Sequence, residues 1–555
     1  MKQGAFTFVL HSHIPYARRA GRWPHGEEWV HEAAADTYLP LLLALHDLRA
    51  EDVPFRLTIG ITPVLAEQLA DPLILDNLRR YLATRRDAAA ADVARLDGRG
   101  ARVAAWYRDR YHRLLAFLTG ELNLDVIGAF RTLQDQGYLD IAAGAATHGY
   151  LPLLDRDSSV YAQVHVGVES YRRAFGRPPR AFWLPECAYR PARYREGPEG
   201  AYLRPGLERF LADRGIRVFF AETHTVEGGR PAGKAAGDAV GPYAAVPRRY
   251  AVPPARPVEP TARTAHLPYR VEASPVAVIG RNRATGLQVW SARHGYPGDP
   301  LYREFHKRDG VSGLHYWRVT GQETDLAEKD VWDPAAAFAR TEEHARHFCE
   351  LVEGLTTGFW ERDGRYGIVA AAYDTELFGH WWFEGVAWLA AVLRRLARSP
   401  VVELTTAADY VERHPPEEAL SLPESSWGQG GGHFTWQNVD TAWMWPAVHA
   451  AERRMERLAA AHPQAAGAVR AALQQAAREL LLLQSSDWPF LITTGQARDY
   501  AVARFQGHLE RFQRMADAVE AGAVDAAAVQ ELFALDNVFP EIDHRSFARR
   551  EPVPV

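Results

Sequence analysis

Four short segments of the chain combine residue types that can do chemistry with spacings that gather them on one side of a strand or turn. His11-Ser12-His13-Ile14-Pro15-Tyr16 holds two histidines two residues apart, and on a β-strand such residues point to the same side. Thr147-His148-Gly149-Tyr150-Leu151-Pro152 adds a third histidine, and Phe182-Trp183-Leu184-Pro185-Glu186-Cys187-Ala188-Tyr189 sets a lone glutamate in an apolar frame. Tyr373-Asp374-Thr375-Glu376-Leu377-Phe378-Gly379-His380-Trp381-Trp382 places two acids ahead of paired tryptophans. Cleaving a glycosidic bond with retention needs two carboxylates about 5–5.5 Å apart, one to attack and one to donate and then accept a proton. Glu186 and Asp374 can be that pair if the fold closes the 188 residues between them (374 − 186 = 188).

A different chemistry is also open to the same residues. His11 and His13 fit a metal pair, with His148 or a carboxylate as third ligand, as in a zinc-dependent deacetylase or mannosidase-like barrel. Pro15 stands where an HxHxD pattern would place an acidic ligand, so no metal and no cofactor is expected. A non-catalytic glycan-binding protein would explain the tryptophans, but not two carboxylates at strand ends.

The elements that must position these groups are legible as β-rich runs, each ending in a polar or ionisable residue. They lie at 5–10 (before His11 and His13), 55–59 (Thr62), 139–142 (Thr147, His148), 180–184 (Glu186), 216–220 (Glu222, His224), 275–279 (Arg281) and 367–372 (Asp374, Glu376). Stretches of helical period lie between most of them. Seven strands alternating with helices predict an α/β fold, a parallel barrel closed or nearly so, whose strand C-termini converge on one face. Residues 72–135 read as a helical insertion after the second strand, and residues 226–265, rich in Gly, Pro, Ala and Arg, as a mobile loop or lid. Residues 1–400 would form the catalytic barrel, and 401–555 a C-terminal helical domain contributing to the substrate cleft.

The four segments, in this order, resemble the signature regions of glycoside hydrolase family 57, and the stretch from Trp427 to Trp445 fits a fifth. The likeness runs through Val289-Trp290-Ser291 to Tyr296-Pro297-Gly298-Asp299-Pro300 and is strongest to the 1,4-α-glucan branching enzymes of that family. It implies a (β/α)7 barrel with a helical insertion and a C-terminal α-helical domain. It implies Glu186 as nucleophile and Asp374 as general acid/base, with an α-1,4-glucan such as amylose or glycogen as donor and acceptor. On this reading His11, His13 and His148 hold sugar hydroxyls beside the attacked ring, and Trp29, Trp290, Trp427 and Trp436 stack on glucan. Arg281, at a strand end, and Asp487 and Gln496, in an exposed-looking polar stretch, would bond hydroxyls. Tyr243, rather than Tyr250, is the loop tyrosine expected to close over the glycosyl-enzyme. An α-amylase or 4-α-glucanotransferase on the same scaffold is the alternative, because acceptor choice rests on water exclusion and acceptor subsites.

Composition narrows the partners. The 555 residues carry a formal net charge of −5, which gives no basic field to draw nucleic acid or an anionic membrane. Sixteen tryptophans, with aromatics at 11%, suit sugar rings, whose C–H faces stack on flat apolar surfaces. Two cysteines, Cys187 and Cys349, exclude a disulfide framework and favour a reducing compartment. The apolar run after Lys2 stops at His11, too short for a signal-peptide core, and no stretch reaches the ~18 apolar residues of a membrane span. A cytoplasmic enzyme is expected.

Overall fold

The computed structural model describes residues 1–197, 200–231, 257–290 and 295–549. Seven strands make the frame: β1 (Gly4–Ser12), β2 (Leu57–Ile61), β3 (Leu139–Gly144), β4 (Ala181–Trp183), β5 (Val218–Ala221), β6 (Ala277–Gly280) and β7 (Gly367–Asp374). They pair in parallel in the spatial order β7-β1-β2-β3-β4-β5-β6. All seven expected runs are therefore strands of one curled sheet. The ring does not close by a ladder: between β6 and β7 the backbone link is Asn282 N–H donating to the Ala370 carbonyl, 2.9 Å. Pro268–Val271 instead pairs antiparallel with β6 and continues the sheet outward.

Both faces of the sheet are covered, which is why the strands read as continuous apolar runs. Side chains alternate across it. Phe6 and Phe8 turn outward and pack on Phe348 and Trp388. Ala5 and Val9 turn inward and join Ala181, Trp183, Val218, Phe220, Ala277, Ile279, Ile368, Ala370 and Ala372 in an inner core. His11 has the parity of Val9, and Asp374 that of Ala372, so both continue the inward face beyond the packed core. The register sets them side by side, His11 opposite Asp374 across the β1–β7 pair.

Helices cover the outside. After β2 come α1 (Pro72–Arg95), α2 (Gly98–Ala116) and α3 (Val126–Asp135). Helix α4 (Asp157–Phe175) lies so close to β3 that a Cβ on Gly167 would stand 2.2 Å from the Gly144 carbonyl oxygen. The long α5 (Pro334–Asp363) starts at an Asp333 cap that accepts from Ala335 and Ala336, and stops at left-handed Gly364, the usual asymmetry of helix ends. C-terminal to the sheet lie α6 (Met444–Ala461), α7 (Gly467–Leu483), α8 (Asp487–Thr494), α9 (Arg498–Glu520) and α10 (Ala526–Leu535). The turn between α7 and α8 bridges to the barrel, with Ser485 paired to Gly149 and Ser486 N–H donating 3.0 Å to the His148 carbonyl. Among the described residues no helix is long and apolar enough to cross a membrane.

A mid-helix glycine is ordinarily improved by alanine, but at Gly167 the sign should invert because the sheet leaves no room. Gly167→Ala is expected to destabilise the protein by ~1–3 kcal/mol, read as a lower midpoint in urea; an unchanged or higher midpoint would refute the close packing.

Candidate active site

Glu186 is placed by an abrupt turn. Strand β4 ends at Trp183, Pro185 stops the ladder, and Glu186 takes a left-handed backbone, φ 58 and ψ 25. Cys187 follows at φ 51. Such angles are unfavourable for residues with a Cβ and persist only where the surroundings impose them. Here the Glu186 carbonyl accepts from Trp427 N–H at 3.1 Å, and Oε2 accepts from the indole Nε1–H of the same tryptophan at 2.6 Å. Ser486 Oγ donates to Oε1 at 3.3 Å. The carboxylate is thus gripped on both oxygens by residues far along the chain.

The histidines form the floor. Ser486 gives its proton to Glu186, so its 2.8 Å bond with His148 requires Nδ1–H of the imidazole as donor. A neutral His148 then accepts at Nε2 from His11 Nε2–H, 3.0 Å away. His13 stacks on His148, ring centroids 3.9 Å apart, and is bonded by Thr62 at Nδ1 and by Asp487 at Nε2, 3.1 and 3.0 Å. Burial opposes a charge on His13, but Asp487, Glu186 and Glu376 together outweigh it and raise its pKa.

On the other side Asp374 ends β7, and Glu376 follows in the turn. Glu376 Oε1 accepts from His13 N–H at 3.1 Å and from the Tyr38 hydroxyl. Tyr38 comes from a π-helical turn, Ala34–Tyr38. Left-handed Gly379 fits against that turn, where a Cβ would meet the Asp36 carbonyl oxygen at 1.9 Å. Burial, with the nearby Asp374 charge in support, pushes the Glu376 carboxyl up to about 7.

These groups surround a cavity of about 430 Å³, of the size that holds small ligands. Its lining includes His11, His13, Trp29, His148, Glu186, Asp374, Trp427, Asp487 and Gln496, which brings most of the expected site residues together. Three stand apart. Trp436 is buried and stacks on Tyr150, centroids 4.3 Å apart, so it packs rather than meets a ligand. Arg281 donates to Glu222 at 2.6 Å and lies 5.9 Å from the Trp427 ring centroid, a buried prop instead of a hydroxyl contact. Trp290 is buried in the main core at the end of helix Arg283–Trp290. Asp487 corrects a further expectation: it is 8% exposed, not surface-facing, because the α7–α8 turn drives it into the barrel mouth. Tyr243 and Tyr250 lie outside the described residues.

Other residues of the site carry no expectation from the sequence. Ser486 is invisible there because it acts from 300 residues beyond Glu186 (486 − 186 = 300). Tyr38 sits in an ordinary helical stretch. Glu376, by contrast, stood in a singled-out segment, two residues past Asp374. Trp23, 67% exposed, and Trp381 also border the cavity.

A parallel half-barrel that delivers two carboxylates to an aromatic-walled cavity at its strand ends defines a carbohydrate-processing enzyme. The chain belongs to glycosyl hydrolase family 57: the profile of that family matches residues 7–423. A second profile, described as 1,4-alpha-glucan branching enzyme, C-terminal, matches residues 447–547. A 1,4-alpha-glucan branching enzyme of Thermococcus kodakarensis is 44% identical over 543 residues, 97% of this chain and 77% of that one. A probable 1,4-alpha-glucan branching enzyme of Mycobacterium tuberculosis is 30% identical, with 94% of each chain covered. The crystal structure of the Thermococcus enzyme with glucose superposes with a TM-score of 0.91 at 42% identity, covering 99% and 97% of the two chains. The α-amylase AmyC of Thermotoga maritima superposes at 0.82 with 28% identity, covering 99% and 100%.

Glu376 makes a pH-dependent contribution whose sign is fixed. Its folded pKa of about 7 lies above the ordinary value of 4.5, so its contribution is fully present below about 4.5 and lost as pH rises through about 7. Glu376→Gln should therefore lose less melting temperature than the wild type between pH 5 and pH 8. Parallel declines in the two proteins would remove Glu376 as a source of the pH dependence.

Proposed function

We propose that the chain is a 1,4-α-glucan branching enzyme working by a retaining mechanism in glycogen synthesis. The observation that carries this reading is that Glu186 and Asp374 face one aromatic-walled cavity in a chain whose C-terminal region matches the branching-enzyme profile. Glu186 attacks the anomeric carbon while Asp374 protonates the leaving glycosidic oxygen, which gives a glycosyl-enzyme. Asp374 then takes the proton of an acceptor 6-hydroxyl, which attacks the anomeric carbon, displaces Glu186 and leaves an α-1,6 branch.

The surrounding contacts suit these roles. The Trp427 indole N–H and the Ser486 hydroxyl keep the Glu186 carboxylate aimed before attack. His11, His13 and His148, stacked on one another and fixed by Thr62, Asp487 and Ser486, form a rigid floor beneath the attacked sugar, and Trp29 offers a half-buried ring face to a neighbouring one. Asp487, tied to His13, and exposed Gln496 add hydroxyl partners from the C-terminal helices. Residues 401–555 would thus complete a cleft begun by the barrel at 1–400. Both cysteines are buried and neither is in a disulfide, which accords with a cytoplasmic setting.

Zinc chemistry deserves a direct test, because ligand atoms of His13, His148 and Asp487 lie within 4.8 Å of one another. Each of these side chains already has hydrogen-bond partners in the protein: Thr62 and Asp487 for His13, Ser486 and His11 for His148. Turnover is expected to survive EDTA treatment in full, and loss restored by added zinc would replace the two-carboxylate mechanism.

Glu186→Gln and Asp374→Asn should each lower turnover by at least ~10³-fold, since each removes a transition-state role, with the melting temperature little changed. Wild-type rates in either variant would take that residue out of the mechanism. Proton NMR of amylose digests, counting α-1,6 linkages against reducing ends, tests the reaction itself. Branch points in excess of reducing ends support transfer; reducing ends alone would make the protein a hydrolase.

A further inference from the structure

The turn that leaves Glu186 runs into a knot of cations that the branching reaction does not use. Arg190 is wholly buried, and so is Arg204, at 0% and 1% exposure. Arg193 and Arg204 are direct partners across an antiparallel hairpin, Arg193–Gly197 with Gly200–Arg204, so their side chains leave the same face, where like charges repel. Arg204 donates through Nε to Asp157 and through Nη2 to the Leu154 carbonyl, both at 2.7 Å. Arg190 Nη2 comes only to 4.0 Å from that same Asp157 oxygen. Arg193 Nη1 stands 3.7 Å from Glu424, whose carboxylate is already bonded by His433 at 3.0 Å.

Three guanidiniums therefore share two carboxylates. Arg190 Nε and Nη2, Arg193 Nε and Arg204 Nη1 are buried without a hydrogen-bond partner among the described residues. Buried donors on a charged group are among the most unfavourable arrangements a protein can hold. The strain registers on Arg190, whose pKa falls to about 9 through burial first and then through Arg204. What this geometry lacks is a compact anion with several acceptor oxygens, and guanidinium forks match such oxygens well.

We propose that Arg190, Arg193 and Arg204 form a binding site for a phosphate-class oxyanion, reached beside the half-exposed Arg193. The site adjoins the support of Glu186. Tyr189, next to Arg190, exchanges both backbone bonds with Ser425, 2.9 and 3.1 Å, and Trp427, two residues on, holds Glu186. An anion there neutralises the knot and stiffens that strap. The phosphoryl group comes either as the free ion or carried on a sugar.

The test is calorimetric titration of the full-length protein with inorganic phosphate, and separately with a hexose phosphate, against sodium chloride at equal ionic strength. Saturable phosphate binding near one per chain is expected, weakened at least tenfold in Arg190→Met and in Arg193→Gln. The second variant alters a half-exposed side chain, so a folding failure at Arg190 leaves the question answerable. Hexose phosphate matching or exceeding phosphate would assign the site to a sugar-borne group, and phosphate alone would assign it to the free ion. No saturable binding beyond the chloride control, or affinity unchanged in Arg193→Gln and in a folded Arg190→Met, overturns the proposal.

Discussion

The arrangement at the barrel mouth depends on holding Glu186 in a backbone conformation that it does not prefer. A left-handed residue with a side chain costs on the order of 1–3 kcal/mol, and Cys187 beside it takes the same region. Bonds on every side offset this. Cys187 N–H reaches the Leu184 carbonyl at 2.9 Å, Ala188 N–H reaches Pro185 at 3.0 Å, and Trp427 binds both the backbone and the side chain of Glu186. Trp427 is itself wedged between Trp183, 5.1 Å away by ring centroids, and the Arg281 guanidinium, and Arg281 is pinned by Glu222. The strand ends β4, β5 and β6 thus brace one carboxylate between them. A residue such as Arg281 belongs to the site without touching its contents.

At acids elsewhere in the fold burial competes with nearby cations. Arg308 reaches Glu32 at 2.8 Å, and there the pKa falls despite opposition from burial. At Asp140 burial wins even over a 2.9 Å bond from Arg180, and the carboxyl is pushed up to about 6. Glu384, fed by Arg303 N–H and Trp332 Nε1–H, is pushed up to about 7, and Glu452 to about 8. Glu452 is the joint between α6 and the barrel: it accepts from Asp155 N–H at 2.8 Å and from the Gln484 amide at 3.0 Å. Gln484 immediately precedes Ser485-Ser486-Asp487, so a largely neutral acid sets the height at which Ser486 meets Glu186. Docking of the C-terminal helices and aiming of the carboxylate are therefore one problem.

The sequence revealed what obeys short-range periodicity. Seven apolar runs became seven parallel strands, and polar residues just past β1, β3, β4 and β7 border the cavity, because strand direction carries these ends to the same rim. It concealed whatever arrives from elsewhere in the chain. Ser486 and Tyr38 look unremarkable in their own segments, and only the docked fold brings them to Glu186 and Glu376. Trp436 and Trp290 misled for the opposite reason: both sit among polar neighbours in sequence, yet tertiary packing turns their rings onto Tyr150 and into the main core. Asp487 misled in the same way, since a Ser-Ser-Asp turn resembles surface until the turn is found inserted beside His13.

The cavity walls divide the chemistry between the two parts of the chain. Barrel strands deliver Glu186, Asp374 and the three histidines. Asp487, Phe490, Leu491 and Gln496 line the cavity from the C-terminal helices. Phe490 and Leu491 give that side an apolar surface beside the polar Gln496 and Asp487, a combination suited to a sugar ring. The turn that brings these helices to the cavity also bonds Glu186, so this wall and the carboxylate are placed together.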